Sequence, residues 1–354
     1  MKIYTITCSN AYNYGAVLQA YALQKYLENQ GHEVVLIDYH PPYLRQISDK
    51  YENNMLAKVL RGILYAPDYS KSKKVFDKFK KKIKSTKETF YSLEELKNLS
   101  DADIYIAGSD QIWNPYMKNG LDPAYYLEFV SQKKKVAYAA SIGCNVSEKK
   151  YGVYYRQKLA GFNSVTVREK ETALFLKNQG IQAKCVLDPV YLLDESEWDL
   201  LCESSENTKY IIVYALHHIQ EIYDYAKKMA TYYNVKMYVI SVELKEIRRG
   251  NDKFFWNPDV ETFLSLIKNA EAVVTNSFHG VSFGLIFNRP LHIFDTETND
   301  LRIRNIVEMF GLQERICKIN GLGLLDNTMP VLARRRMEDE ILHSKAMLKE
   351  ILEE

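Results

Sequence analysis

Three short segments of this 354-residue chain carry side chains able to do chemistry at sharp turns. His279 follows the apolar run Val273-Val274-Thr275 and opens a stretch of helical character. At a helix start it would meet free backbone N–H groups, and an imidazolium there would form an anion site. A phosphate dianion beside it would hold its proton in place for general-acid use. The competing reading is a histidine that caps or bridges inside the fold. Arg168 directly follows Val165-Thr166-Val167. Its planar guanidinium suits a carboxylate or phosphate, or a structural salt bridge to Glu169, Glu171 or another acid. In Gly108-Ser109-Asp110-Gln111, small residues permit close backbone approach, and Asp110 is placed to orient or deprotonate a hydroxyl. The alternative is a capped turn with Trp113 in the core.

These segments take their meaning from the elements that position them. Lys2–Thr7 reads as a strand, Ala16–Asn29 as a helix closed by Gly31, and Val34–Ile37 as a strand buried on both faces. Strands follow at Asp103–Ala107, Lys135–Ala140, Ser164–Val167 and Lys184–Leu187, with a helix over Glu169–Gln179. A second alternating series has strands at Tyr210–Ala215, Lys236–Ile240, Ala272–Thr275 and Leu291–Phe294. Its helices are Ile219–Tyr232, Val260–Lys268 and His279–Phe287. Alternation of this kind predicts two α/β sheets in tandem. The expected division is an N-terminal lobe over 1–205, with a helical insertion over 41–100, and a C-terminal lobe over 206–333. The hinge is placed in Glu203–Thr208. A final amphipathic helix over 334–354, with Ile341, Leu342, Leu348 and Ile351 on one face, is expected to return to the first lobe.

In open parallel sheets, ligands sit beyond the carboxyl ends of the strands. The segments so marked are Asn10–Gly15, Gly108–Trp113, Arg168, Asn276–Gly280 and Asp295–Asn299.

Composition excludes several classes. A net charge of +2 gives no bulk pull toward nucleic acid. The five scattered cysteines form no CxxC pair, which fits a reducing compartment and no cysteine metal site. No apolar run of the roughly 18 residues needed to span a bilayer is present, Met1–Thr7 reads as a strand and not a leader, and the cytoplasm is the expected location. GxGxxG after the first strand, the P-loop, HExxH and GxSxG are all missing. Asp101-Ala102-Asp103 opens a strand and reads as a cap with surface charge, not as a metal-binding DxD. His217-His218 lacks a partnering acidic cluster and is placed in a loop or helix start.

At these same positions the chain resembles the polysaccharide pyruvyl transferase family. The resemblance is carried by Asn13-Tyr14-Gly15-Ala16-Val17-Leu18-Gln19-Ala20-Tyr21-Ala22-Leu23 and Ala107-Gly108-Ser109-Asp110-Gln111-Ile112-Trp113-Asn114. It continues through Val167-Arg168-Glu169-Lys170, Leu187-Asp188-Pro189-Val190-Tyr191-Leu192-Leu193, Thr275-Asn276-Ser277-Phe278-His279-Gly280 and Leu301-Arg302-Ile303 to Gly311-Leu312. It implies an α/β fold of two Rossmann-like lobes, similar to the GT-B glycosyltransferases. The implied activity is transfer of a pyruvyl group from phosphoenolpyruvate to two hydroxyls of a sugar, as a cyclic ketal, without a metal or other cofactor. Arg168 and His279 become phosphoenolpyruvate contacts, with Ser277, Phe278, Gly280 and Arg302 on the donor side. Asn13, Tyr14, Gly15, Gln111 and Trp113 fall on the acceptor side, and Asp110 is the candidate acceptor base. One departure stands out: many members carry arginine where this chain has Ser277, so that charge is either missing or comes from elsewhere, such as Arg302, Arg304 or Lys170.

The acceptor is expected to be a sugar of a polysaccharide or of a precursor on a polyprenyl diphosphate carrier, with Tyr12, Tyr14, Trp113, Tyr116 and Tyr138 as stacking candidates. The cluster Lys71–Lys87 is read first as a solvated helix face. The alternative is a surface for a diphosphate carrier or the anionic inner leaflet. Two other functions share the fold expectation: a glycosyltransferase using a nucleotide sugar, and a non-catalytic relative that binds a glycan or anion.

Overall fold

The computed structural model describes residues 1–45, 55–203, 208–294, 301–317 and 330–353. Most of the expected hinge Glu203–Thr208 and all of the Asp295–Asn299 loop fall outside the described residues. The chain forms two compact units. The first comprises Met1–Tyr65, Lys80–Leu193 and Glu340–Glu354, the second Ala66–Phe79 and Asp194–Asp339.

The first unit is built on a parallel sheet of β1 (Lys2–Ile6), β2 (Glu33–Leu36), β3 (Ile104–Ala107), β4 (Lys134–Ala140), β5 (Ser164–Val167) and β6 (Ala183–Cys185). Its spatial order is β2-β1-β3-β4-β5-β6. Tyr4 of β1 lies opposite Val35 on one side and Tyr105 on the other. Successive side chains alternate faces, so β1 feeds two core layers. Ile3 joins Leu23, Leu27, Ile104 and Val136 on one face, and Tyr4 joins Tyr105, Ala137, Tyr155 and Val165 on the other. Flanking helices are α1 (Tyr14–Asn29), α2 (Met55–Lys80), α3 (Leu93–Leu96), α4 (Glu148–Leu159) and α5 (Lys170–Asn178).

The second unit contains α6 (Glu195–Asp199), β7 (Tyr210–Tyr214), α7 (Gln220–Tyr233), β8 (Lys236–Ser241), β9 (Lys253–Trp256), α8 (Val260–Lys268) and β10 (Ala272–Thr275). It continues with α9 (Phe278–Ile286), β11 (Leu291–Phe294), α10 (Leu301–Phe310), β12 (Ile316–Cys317) and α11 (Val331–Glu353). The sheet order is β12-β11-β10-β7-β8-β9, again parallel throughout. Two Rossmann-like lobes are therefore present, as expected. Counted within its own sheet, the second order is 3-2-1-4-5-6 and the first is 2-1-3-4-5-6. Each sheet has one point where the chain reverses its direction of winding: between β1 and β3, and between β7 and β10. Ligands bind at such points in this architecture.

Two segments depart from the sequence reading. Residues 41–100 are not helical throughout: after α2 the chain runs extended, with parallel bridges from Leu36 to Ser85 and Tyr39 to Phe90. The Thr86 and Thr89 hydroxyls fix it, Oγ1 of Thr86 accepting from Asp38 N and Oγ1 of Thr89 donating to the Asp38 carboxylate. Residues 66–79 of α2 group with the second unit. Asp68 accepts from Trp256 Nε1 and Leu244 N, and Asn257 donates to Ser72. Several lysines of the Lys71–Lys87 cluster are engaged here: Lys78 pairs with Asp259 at 2.5 Å, Lys73 with Asp77, and Lys71 lies over the Trp256 ring.

Helix α11 is divided between the units at Asp339/Glu340. Leu348 and Ile351 enter the first unit's core, Ser344 Oγ accepts from Leu187 N at 2.9 Å, and Leu342 stays 67% exposed. No helix among the described residues is long and apolar enough to cross a membrane.

Candidate active site

In the first unit, the reversal between β1 and β3 is surrounded by a buried polar network. Its geometry starts with an irregularity in β4. The register against β5 shifts between Ala137 and Ala140, and Ala139 adopts φ +52°. The Thr166 hydroxyl spans the gap, accepting from Ala139 N and donating to Ala137 O, each at 3.0 Å. Bulges of this kind re-aim strand ends. Here Ala140 O accepts from Arg168 N at 3.1 Å, and Ala140 also bridges to Asp110. The residue after β5 and the turn after β3 are thus drawn to one place.

Arg168 is 3% exposed. Its Nη1 donates to Asp188 Oδ2 at 2.5 Å and its Nη2 to Asp110 Oδ1 at 3.4 Å. Asp188 Oδ2 also accepts from Ser109 Oγ at 3.0 Å, and its Oδ1 accepts from Val190 N. Thr7 Oγ1 donates to Ser109 O, and Gln19 Nε2 donates to Thr7 Oγ1, so the network reaches α1. Glu169, considered above as a partner for Arg168, accepts from Ser141 Oγ and Thr172 Oγ1. Asp110 sits at φ +75°. A left-handed conformation at a non-glycine residue costs about 1–3 kcal/mol and persists only where surroundings enforce it. Asp110 Oδ1 accepts from Gln111 N at 2.9 Å, and Asp110 O accepts from Ser141 N at 3.0 Å.

The structure places several acceptor-side candidates within the fold. Trp113 is fully buried, stacks on Tyr126 at 5.7 Å and donates from Nε1 to Tyr125 O, so its ring faces protein and not solvent. Tyr14 and Tyr138 are likewise fully buried, and Gly15 is buried within α1. Asn13 is the N-cap of α1, with Oδ1 accepting from Ala16 N at 2.7 Å. Its side chain is thereby committed to the helix start. Gln111 remains half-buried, with its carbonyl accepting from Asn119. Tyr116 is 54% exposed, and Tyr12 is half-buried beneath Lys80. Asp103 accepts from Lys2 N at the opposite, amino-terminal edge of the sheet, and Asp101 pairs with Lys133, which fits the cap reading.

In the second unit, the reversal between β7 and β10 carries His279. Thr275 closes β10 by donating from Oγ1 to Tyr214 O at 2.6 Å and accepting from Ser277 N at 3.0 Å. Asn276 joins the two loops: its Oδ1 accepts from Leu216 N, and its Nδ2 donates to His217 O, each at 2.8 Å. Ser277 is the N-cap of α9, its Oγ accepting from Gly280 N at 3.4 Å. A serine at the departure from the arginine pattern therefore has a local reason. It satisfies a donor of the helix that presents His279. Gly280 is required by space: a Cβ there would lie 2.3 Å from Thr275 Oγ1. His279 is the second residue of α9 and 7% exposed. The Arg302 guanidinium lies over the Phe278 ring at 5.8 Å, placing a positive charge beside the same helix turn.

Sequence reasoning missed two features. Asp188 appeared only within a motif, although its position just after β6 marks it by the same strand-end rule. His218, read as lacking acidic neighbours, is met by Glu243 and Glu246 from the segment after β8. Its Nδ1 is 2.7 Å from Tyr223 Oη and 3.7 Å from Glu246 Oε2. Burial lowers the His218 pKa, opposed by the two carboxylates. Arg249 pairs with Glu246 at 2.7 Å and Lys245 with Glu243 at 2.6 Å, so cations of the chain already balance both acids. A metal ion at this group would have to displace them.

Similar folds occur in solved structures. One is S. aureus MnaA in a co-structure with UDP, at 13% identity and TM-score 0.51, covering 97% of this chain and 90% of that one. Another is UDP-N-acetylglucosamine 2-epimerase from Rickettsia bellii, at 10% identity and TM-score 0.52, covering 100% and 96%. At these identities the likeness is one of fold. No curated protein matches the chain in sequence. The polysaccharide pyruvyl transferase family model matches residues 13–298, a span that contains the Asp110–Arg168–Asp188 network and the His279 helix start. The chain belongs to the polysaccharide pyruvyl transferase family.

Proposed function

We propose that this protein transfers the pyruvyl group of phosphoenolpyruvate to two hydroxyls of a glycan sugar, forming a cyclic ketal. The observation that carries this reading is His279, held at the start of α9 beside the second sheet's winding reversal, within the span matched by the family. The chemistry needs a proton at C3 of the donor, which makes C2 electrophilic. One sugar hydroxyl bonds to C2 and a second closes the ring as the C2–O–phosphate bond breaks. Of the two hydroxyl protons, the net balance places one on C3 and one on the departing phosphate. His279 is assigned the acid, or the main electrostatic stabilisation, in this sequence. Arg168 is assigned the donor's carboxylate or phosphate, and Asp110 the acceptor hydroxyl. Arg302, Ser277, Phe278 and Gly280 support the donor side; Arg302 supplies the charge that Ser277 does not. No metal or other cofactor is assigned.

With Trp113, Tyr14 and Tyr138 in the core, the acceptor reading narrows to Asp110, Gln111, the half-buried Tyr12 and the exposed Tyr116. The acceptor is proposed to be a polysaccharide unit or a polyprenyl-diphosphate-linked precursor, met in the cytoplasm or at the inner membrane face.

Purified protein given phosphoenolpyruvate and galactose-, mannose- or glucosamine-type acceptors should release phosphate. His279→Ala should abolish release while circular dichroism stays unchanged; full activity in that variant would remove His279 from catalysis. A nucleotide-sugar donor is the second reading, favoured by the fold shared with a UDP co-structure. Thermal stabilisation by phosphoenolpyruvate and not by UDP separates the two, because a ligand raises the melting temperature only of a protein it binds.

A further inference from the structure

Two histidines stand side by side in the loop after β7, and the structure divides them. His218 turns inward: its side chain is 13% exposed, with Nδ1 2.7 Å from Tyr223 Oη. His217 is exposed, and its imidazole makes no hydrogen bond, ion pair or ring contact among the described residues. Its backbone is nonetheless gripped on both sides by one buried amide. Oδ1 of Asn276 accepts from Leu216 N at 2.8 Å and from His217 N at 3.5 Å, and its Nδ2 donates to His217 O at 2.8 Å. His217 O also accepts from Ile219 N at 3.0 Å, and Arg249 Nη2 donates to His218 O at 3.1 Å. An open side chain on a backbone locked in this way is presented in a fixed place, so little ordering entropy is left to lose when a ligand meets it.

That place is the carboxyl edge of the second sheet. Tyr214 and Thr275, the last residues of β7 and β10, lie opposite each other in the parallel register, and Thr275 Oγ1 ties them by donating to Tyr214 O at 2.6 Å. His217 lies three residues beyond Tyr214, and His279 four beyond Thr275. Adjacent strands are about 4.8 Å apart, so the two histidines leave neighbouring points on one edge. Ligands of this architecture bind between the loops at such a reversal. In either protonation state an imidazole offers an N–H donor, which suits an anionic oxygen. Glu246 and Glu243, the acids beside His218, are paired with Arg249 at 2.7 Å and Lys245 at 2.6 Å, so they do not oppose an anion with uncompensated charge.

We propose that His217 is a binding contact for a phosphate group at the reversal between β7 and β10. Its imidazole N–H donates to a phosphate oxygen opposite the His279 helix start. Asn276 is the positioning residue that sets it there. Phosphate capture at this edge stands on the geometry of the loop. Naming that phosphate as the one carried by phosphoenolpyruvate rests on the function proposed above, and a nucleotide diphosphate is the other source of the same chemistry.

The test is titration calorimetry of the full chain with inorganic phosphate, phosphoenolpyruvate and UDP in turn. His217→Ala should weaken the binding of phosphate and of phosphoenolpyruvate about fivefold or more, the scale of one hydrogen bond to a charged group. His217→Arg keeps N–H donors for an anion and should hold affinity within about threefold of the unaltered protein. In turnover, His217→Ala should raise the KM for phosphoenolpyruvate with little change in kcat, because the contact is made in the ground state and the transition state alike. Asn276→Ala should also weaken phosphate binding. Combined with His217→Ala it should bind no more weakly than the weaker single variant, since one residue acts through the other. Unchanged phosphate and phosphoenolpyruvate affinity in His217→Ala, or no binding of any of the three anions by the unaltered protein, would overturn the proposal. Additive losses in the double variant would remove Asn276 as the positioning residue. If His217→Ala weakens phosphate and UDP binding while phosphoenolpyruvate neither binds nor turns over, the phosphate contact stands and the pyruvyl donor assignment falls.

Discussion

The two sheets reverse winding by the same rule and furnish the reversal with opposite materials. In the first unit the work is done by formal charge: Arg168 between Asp188 and Asp110, tied by Ser109 and Thr7 to α1. In the second it is done by backbone and small neutral groups: Thr275, Asn276 and the Ser277 cap aim α9, and Gly280 lets it sit against β10. A buried ion pair is expensive to break because the remaining charge is left without compensation. A neutral cap is cheaper to break because its loss leaves no formal charge without compensation. The first reversal should therefore be brittle toward substitution and the second tolerant.

The largest test of this contrast is Asp188→Ala. It strips Arg168 of its nearer carboxylate and should lower unfolding free energy by about 3–5 kcal/mol in a urea titration. Gly280→Ala should follow, at about 1–3 kcal/mol, because the new Cβ must push Thr275 away. Ser277→Ala should cost about 0.5–1 kcal/mol, with Ser277→Gly nearer to neutral. If Ser277→Ala proves as damaging as Asp188→Ala, formal charge is not what distinguishes the two sites. The smallest effect concerns His218, in the loop after β7. Burial lowers its pKa below the ordinary 6.5, so the unfolded chain binds the extra proton more readily as pH falls through that value. Stability should decline toward acid, with a slope of no more than about 1.4 kcal/mol per pH unit, and His218→Gln should flatten it. A steeper decline in the His218→Gln variant would reverse the sign.

What was legible in the sequence followed from periodicity. Apolar β-branched runs such as Val273-Val274-Thr275 mark parallel strands buried on both faces, and the rule that ligands lie beyond their carboxyl ends picks out Asp110, Arg168 and His279 without any other information. Illegible features were those set by distant partners. Nothing local says that Asp188 will meet Arg168, or that Glu246 will reach His218. Trp113 closes a segment marked as functional, and the stacked ring of Tyr126 favours the alternative of a core residue. The strand Lys253–Trp256 lacks β-branched residues and the two-residue strand Ile316–Cys317 is too short to show a period, so neither was readable. The stretch 83–90 lies in the 41–100 segment expected to be helical, which lacks the strand–helix alternation of the rest. Its extended course is imposed by pairing with residues 36 and 39.

The hydroxyl of Ser344 receives the amide of Leu187 across 157 residues, next to the aspartate that clamps Arg168. The same helix supplies Met347, Leu348, Ile351 and Leu352 to a core whose other members lie before residue 193. During synthesis the first sheet therefore emerges without its last layer. Contacts of such long sequence separation close late, because loop-closure entropy is spent before they form. The first unit must wait, partly open, while the whole of the second is made. The arginine clamp beside Leu187 thus gains this supporting contact only when the chain's final helix is in place.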